Sequence, residues 1–532
     1  MSKQNNLTDF LTDVANAIRA KKGSTDLINP QNFSAEIAAL SGGLEVIEMT
    51  ETTATIDPNK VYVWGMVESL NITLGASTDE SDFFAFRFRC SKPTMTVVTV
   101  NGATWAEDTE LDAEGKPVLD LGSWYQCEIK GGTSALYARL AHYIHFADSN
   151  VEAVLLSKGV GDGLGVTYKD AAQVTSISTW FENNTDITAF SEFVNFSGIS
   201  GLIQYAFNAC SALAEIALPS SLTSIENYAF RDCSSLAEIT LPAGVTSIGQ
   251  DAFNSCKLLA RVLNLENTKV TRIGNGAFNG CSALAEIALP SSLTIIGQFA
   301  FLKCSLLARV LNLENTQLTS ISRELFSGCS ALTEIAFPAS LTSIGEYAFL
   351  SCKSLTRAVN LENTKVTSIG NGAFNGCSAL TEIAFPSSLT RIGNGAFNGC
   401  SALAEIALPS SLTSIGQFAF LSCKSLTRAV NFENTQLTSI SSELFNGCSA
   451  LTEIALPSSL TSIGNYAFNG CTSLKYIRIE ATTPPTLAST NAIPTTIGAI
   501  YVPDESIAVY QAATNWSSYA SKIKGISEMP AE

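Results

Sequence analysis

Apolar and polar positions between residues 196 and 479 repeat every 23 or 25 residues, most plainly over residues 281–301, CSALAEIALPSSLTIIGQFAF. Leu284, Ile287 and Leu289 have the L-x-x-I-x-L spacing of a short strand that buries one face. Pro290 ends it, because proline cannot donate to a ladder, and Ser291-Ser292 supply the turn. Pro219, Pro242, Pro338, Pro386, Pro409 and Pro457 hold the same place in other units. Leu293, the pair Ile296-Gly297 and then Ala300-Phe301 follow, a return expected to pack on the coil behind. One coil is thus expected to be one strand plus one return. No coil can bury its apolar face alone, so stability must come from stacking on neighbours, with special caps at both ends.

A cysteine marks each unit, at Cys210, Cys233, Cys256, Cys281, Cys304, Cys329, Cys352, Cys377, Cys400, Cys423, Cys448 and Cys471, with a phenylalanine three residues before each, from Phe207 to Phe468. A fixed unit copied this often predicts a solenoid of about twelve coils. The units starting at Cys256, Cys304, Cys352 and Cys423 are 25 residues long and replace the proline turn with L-E-N-T or F-E-N-T, which is expected to widen one bend.

The flanks have other patterns. Leu7, Phe10, Leu11, Val14 and Ile18 recur at helical spacing before Gly23, and a second helix is expected from Asn29-Pro30 with Phe33, Ile37 and Leu40 on one face. Residues 1–43 are too few to bury a core, so both faces are expected to dock on another copy, another protein or the next domain. Residues 44–141 alternate as strands do, through Leu70, Ile72 and Leu74, then Phe84, Phe86, Phe88 and Cys90, then Tyr125, Cys127 and Ile129, which predicts a small β-sandwich, and its opening, D-P-N-K-V-Y-V-W-G, resembles that of a spacer domain. Residues 142–195 read as linker and N-terminal cap, 196–479 as the repeats and 480–532 as the C-terminal cap.

Composition narrows the function. Of 532 residues, 46% are apolar and 15% charged, as in a folded protein, while a net charge of −17 argues against a nucleic-acid footprint. No apolar run of about eighteen residues predicts membrane insertion, and MSKQNNLTDFLTDVANAIRAKKG lacks the apolar core of an export signal. Twelve of the fourteen cysteines form one structural column, so they are expected to be buried free thiols and not a disulfide framework or a metal set.

Two columns could carry recognition. Five residues after successive repeat cysteines stand Glu215, Glu238, Arg261, Glu286, Arg309, Glu334, Arg357, Glu382, Glu405, Arg428 and Glu453, with every arginine between two glutamates. Stacked on an exposed strand face, they would form an alternating ion-pair ladder that fixes register. Two residues before the repeat phenylalanines stand Tyr205, Tyr228, Phe299, Tyr347, Phe418 and Tyr466, possible sugar contacts, interrupted by Asp251, Gly276, Glu324, Gly372, Gly395 and Glu443. The interruptions favour packing between coils. His142 and His145 stand two residues apart without cysteine or carboxylate support, a poor metal site. No nucleophile and base, phosphate loop or carboxylate pair stands out, so neither catalysis nor a cofactor is expected.

The run C-S-A-L-A-E-I-A-L-P-S-S-L-T-S-I-G-x-x-A-F-x-x-C resembles the BspA-like class of leucine-rich repeats, and residues 480–532, with Thr483-Pro484-Pro485 and YVPDESIAVYQAATNWSSYASKIKGI, are similar to the segment closing many such arrays. The resemblance implies a leucine-rich-repeat solenoid used in adhesion or recognition, without enzymatic activity. LTDVANAIRAKKGSTDLINPQNFSAEIAAL resembles the N-terminal piece of bacteriophage tail and fibre proteins, which implies attachment to a virion. The stretch GVGDGLGVTYKDAA resembles a calcium loop, but Lys158 and Lys169, or Gly159, Gly161 and Gly163, fall on ligand positions, so no ion is expected there. The first expectation is a tail-fibre-like virion protein, made in the host cytoplasm, that joins other virion proteins or itself through the N-terminal helices and turns the solenoid toward a host-surface glycan or protein. The alternatives are a bacterial cell-surface adhesin and a purely structural virion spacer.

Overall fold

In the computed structural model the described residues are 45–49, 53–56, 60–67, 69–74, 83–90, 97–101, 104–105, 124–131, 136–161 and 165–530. The two expected N-terminal helices, with Leu7, Phe10, Leu11, Val14, Ile18, Phe33, Ile37 and Leu40, lie outside them. The chain divides into two compact units, Met1–Ser176 with Ile187–Ile199, and Ile177–Asp186 with Ser200–Glu532.

The first unit holds β1 (Glu45–Met49), β2 (Thr53–Ile56), β3 (Lys60–Val67), β4 (Ser69–Leu74), β5 (Phe83–Cys90), β6 (Val97–Asn101), β7 (Thr104–Trp105), β8 (Trp124–Gly131) and β9 (Leu136–Tyr143). They form two sheets, in the orders β1-β3-β5-β8-β9-β7 and β2-β4-β6. From β1 to β6 successive strands alternate between the sheets and pair parallel, so this part winds as a coil, and only β5-β8-β9 is an antiparallel meander. The alternating residues Ile72, Phe86, Phe88, Cys127 and Ile129 are fully buried. Helices α1 (Ser149–Ser157) and α2 (Tyr168–Gln173) follow, capped by Asp148 and Thr167.

The second unit is a parallel β-solenoid of about fifteen turns of roughly 23 residues. More turns exist than cysteines mark, because strands at Ala499–Val502 and Ile523–Gly525 continue the stack after Cys471. The expected single strand per coil is corrected to two. The predicted strand is present, as at Glu286–Ala288, but the return contains a second, two-residue strand such as Ile295–Ile296, and this too pairs parallel with its neighbours. The turn between them closes with the Leu293 N–H donating to the Pro290 carbonyl at 3.1 Å.

The third side of each coil is an arm with two left-handed residues. The Phe207, Phe230 and Phe253 N–H groups donate to the Ala229, Ala252 and Ala277 carbonyls of the next coil, each at 2.7 Å. Inside, the phenylalanine rings stack from Phe181 to Phe468 with centroids 5.0 to 5.6 Å apart. The spine therefore reaches back to Phe181, which the cysteine pattern does not mark.

Irregularities in the sequence become breaks in the sheets. The glycine after the second strand lies where a Cβ would meet the preceding coil's backbone, 2.4 Å from the Asn275 nitrogen at Gly297 and 2.6 Å from the Asn371 nitrogen at Gly393. Ser322 and Ser441 stand at this place in two coils, and there the second sheet stops, after Ile295–Ile296 and after Ser414–Ile415. The serine hydroxyls donate to the Ile296 and Ile415 carbonyls instead, at 2.5 and 2.6 Å. In the long coils the first strand runs into a left-handed asparagine, Asn264, Asn312, Asn360 or Asn431, and then a single 3-10 turn. The first-strand sheets end at the long coils of Arg261, Arg309 and Arg428, whereas at Arg357 single bridges, Arg357 to Glu382 and Ala384 to Ala407, carry the pairing on, so this face is built mainly of short-coil and long-coil pairs.

Candidate functional site

The outward positions of the first strands make the longest exposed, chemically patterned surface. Register places Glu238 opposite Arg261, Glu286 opposite Arg309, Glu334 opposite Arg357 and Glu405 opposite Arg428. The expected continuous ladder is corrected to separate pairs. Arg261 bridges to Glu238, with its Nε donating at 2.7 Å, Arg309 bridges to Glu286 at 3.1 Å, and Arg357 turns forward to Glu382 at 3.2 Å. These side chains are roughly half exposed, so solvent and salt screen them. Each of these guanidinium groups reaches one carboxylate, behind it for Arg261 and Arg309 and ahead of it for Arg357.

Arg428 differs, because its side chain makes no ion pair or hydrogen bond among the described residues, although it faces Glu405. Glu453, on its other side, accepts instead from the Tyr476 hydroxyl. Tyr476 stands five residues after Cys471 and so continues the charge column, a signal that sequence reading had in hand and did not use. Arg478, two residues on and on the same strand face, pairs with Glu480 at 2.5 Å through Nη2 while its Nε is buried without a partner.

Two clefts open on this face beyond long coils. One of about 500 Å³ is lined by Arg357, Glu362, Glu382, Glu405 and the alanines Ala384 and Ala407. The other, of about 160 Å³, is lined by Arg428, Asn431, Glu433, Glu453, Ala455, Tyr476, Arg478 and Met529.

The aromatic column lies on the arm, where Tyr205, Tyr228, Phe299, Tyr347, Phe418 and Tyr466 all have left-handed backbones with φ between 54° and 65°. Five of the six are half-buried and Tyr466 is 42% exposed. The side chains lean along the stack. Tyr205 stacks on Tyr228 at 5.0 Å, and Tyr347 covers Gly372, whose missing Cβ would lie 2.5 Å from the tyrosine ring. An interrupting glycine is thus the partner of the aromatic before it. The rings meet as one stacked pair and otherwise singly, with no continuous platform for a sugar chain.

The repeat cysteines are buried free thiols, each donating to the carbonyl of a phenylalanine in the coil behind, for example Cys233 to Phe207 at 3.0 Å and Cys329 to Phe301 at 3.2 Å. Burial pushes the Cys210 thiol up to about 12 and holds Cys233, Cys256, Cys281 and Cys329 well above the ordinary thiol range. Protonated thiols are poor nucleophiles and metal ligands. Asp170 of the calcium-like stretch closes a capping box with Thr167, and no metal-binding group of histidine, cysteine, aspartate or glutamate occurs among the described residues. No helix among them is long and apolar enough to cross a membrane.

Residues 200–318, 260–379, 309–427 and 367–486 match the family model described as a BspA type leucine-rich repeat region of six copies. Among solved structures, a leucine-rich repeat protein from Bacteroides ovatus is 28% identical, with a TM-score of 0.50, over 62% of this chain and 88% of its own. A leucine rich cell surface protein from Faecalibacterium prausnitzii is 25% identical, with a TM-score of 0.31, over 55% of this chain and 82% of its own. The pneumococcal vaccine antigen PcpA is 21% identical, with a TM-score of 0.33, over 58% and 78%. No curated protein matches the chain.

Proposed function

Because this chain belongs to the BspA-type leucine-rich repeat family, we propose that it is a bacterial surface-recognition protein whose first-strand face contacts a glycan or protein, and that it binds without catalysing. The observation that carries this reading is the exposed face itself, with its separate ion pairs, alanine floors and clefts repeated on a rigid stack. A solenoid supplies such a surface without any built-in chemistry, since each turn offers side chains at a fixed spacing. The net charge of −17 supports partners other than nucleic acid. Fluorescent, purified chain is expected to bind intact bacterial cells saturably, and binding no greater than that of a scrambled-charge control would sink the reading.

A second reading, a bacteriophage appendage, rests on the motif A-I-R-A-K-K-G-S-T-D-L-I-N-P-Q-N-F near the N-terminus. Mass spectrometry of purified phage particles beside the bacterial envelope separates the two. Stoichiometric peptides in the envelope favour the adhesin, and stoichiometric peptides in particles favour the appendage.

A further inference from the structure

We propose that the 160 Å³ cleft beyond the last long coil binds the carboxylate of an acidic saccharide residue, with Arg428 as its anchor; this deepens the recognition reading and rests on it. The other three arginines of the charge column each hold a glutamate of this chain. Arg428 holds none among the described residues, and its neighbour Glu453 is engaged by Tyr476. A second guanidinium lines the same cleft, that of Arg478, whose Nη2 pairs with Glu480 while its Nε is buried without a hydrogen-bond partner. A buried unpaired donor costs free energy, which a small turn of the Arg478 side chain toward an acceptor in the cleft would recover. Guanidinium groups suit carboxylates because they can offer two parallel N–H donors.

The rest of the lining favours a sugar as the carrier of that carboxylate. Glu433 supplies oxygens that accept from hydroxyls, and Ala455 leaves a flat apolar patch for a ring's C–H face. The volume is below the ~300–1,000 Å³ typical of small-molecule pockets, so it suits one sugar residue and leaves the remainder of a chain on the open face. The net charge of −17 works against a long polyanion, so the ligand is one acidic residue within a largely neutral glycan.

Titration calorimetry of the full chain with galacturonic acid and 3′-sialyllactose, beside the galacturonic acid methyl ester and lactose, tests this. The acids are expected to bind and the neutral partners to bind at least tenfold more weakly, with Arg428→Gln losing about tenfold and Arg261→Gln, whose arginine is already paired, losing nothing. Equal affinity for acids and neutral partners, no binding of either acid, or equal losses in both variants overturns the proposal. The cell-binding assay separates this site from the broader reading. Saturable cell binding with no acid-selective saccharide binding removes the cleft and leaves surface recognition standing, whereas acid-selective saccharide binding lost in Arg428→Gln upholds the cleft even if the chain fails to bind cells.

Discussion

A cysteine in this array is a donor as well as a filler. Its Sγ–H reaches the carbonyl of the phenylalanine one coil behind, so the thiol column and the phenylalanine spine hold the same joint. Because these thiols are buried, 5,5′-dithiobis(2-nitrobenzoate) is expected to label none of the repeat cysteines in the folded chain and all of them after guanidinium unfolding. The raised values of Cys233, Cys256 and Cys281 also set a pH limit. In the unfolded chain they lose protons through the ordinary value of 9.0, while the folded chain keeps them bound. The unfolded state then carries fewer protons, so stability is level below about pH 8 and declines above pH 9, by up to about 1.4 kcal/mol per pH unit for each such thiol. Urea midpoints between pH 7 and 10.5 would show it, and a flat profile would contradict the buried column. Replacing one ring of the spine, Phe349→Ala, removes two stacking contacts at 5.0 and 5.6 Å and is expected to cost about 3–5 kcal/mol by chemical denaturation.

At the level of the coil, small residues decide where one turn meets the next. Tyr347 lies over Gly372, which itself has φ +58°. Gly372→Ala is therefore expected to destabilise by about 2–3 kcal/mol, and by only about 1 kcal/mol when Tyr347→Ala has cleared the space, leaving the left-handed strain alone. A double-mutant cycle in urea measures that difference, and equal costs in both backgrounds would mean the ring gives way freely. The ion pairs contribute less. Arg309 and Glu286 are 65% and 46% exposed, so their coupling is expected at no more than about 0.5 kcal/mol and should fade in 1 M salt.

Over the whole molecule, the stack stands on its ends. The C-terminal cap closes the last coils through buried side chains that reach back to backbone carbonyls, Tyr510 to Ala481 at 2.7 Å, Trp516 to Pro485 at 2.7 Å and Tyr519 to Ile493 at 2.7 Å. Removing residues 499–532 is expected to uncover Ile477 and Ile479, and light scattering should then report association of the truncated chain. The array was legible in the sequence because each coil meets the same neighbours, so a constraint at Phe301 or Cys304 is printed once per turn and periodicity exposes it. The second strand was not legible, since two residues such as Ile295–Ile296 are too short to show alternation, and they are strands only because the next coil lies beside them. The Glu and Arg alternation is likewise a property of the sequence. Which carboxylate each guanidinium reaches, and that the Arg428 side chain reaches none among the described residues, is decided only in the stack, where side chains of adjacent coils meet. Local spacing thus determined the coil and its core, whereas the clefts and the unpaired arginine arise between coils, where contacts depend on how adjacent turns meet and no single turn carries the signal.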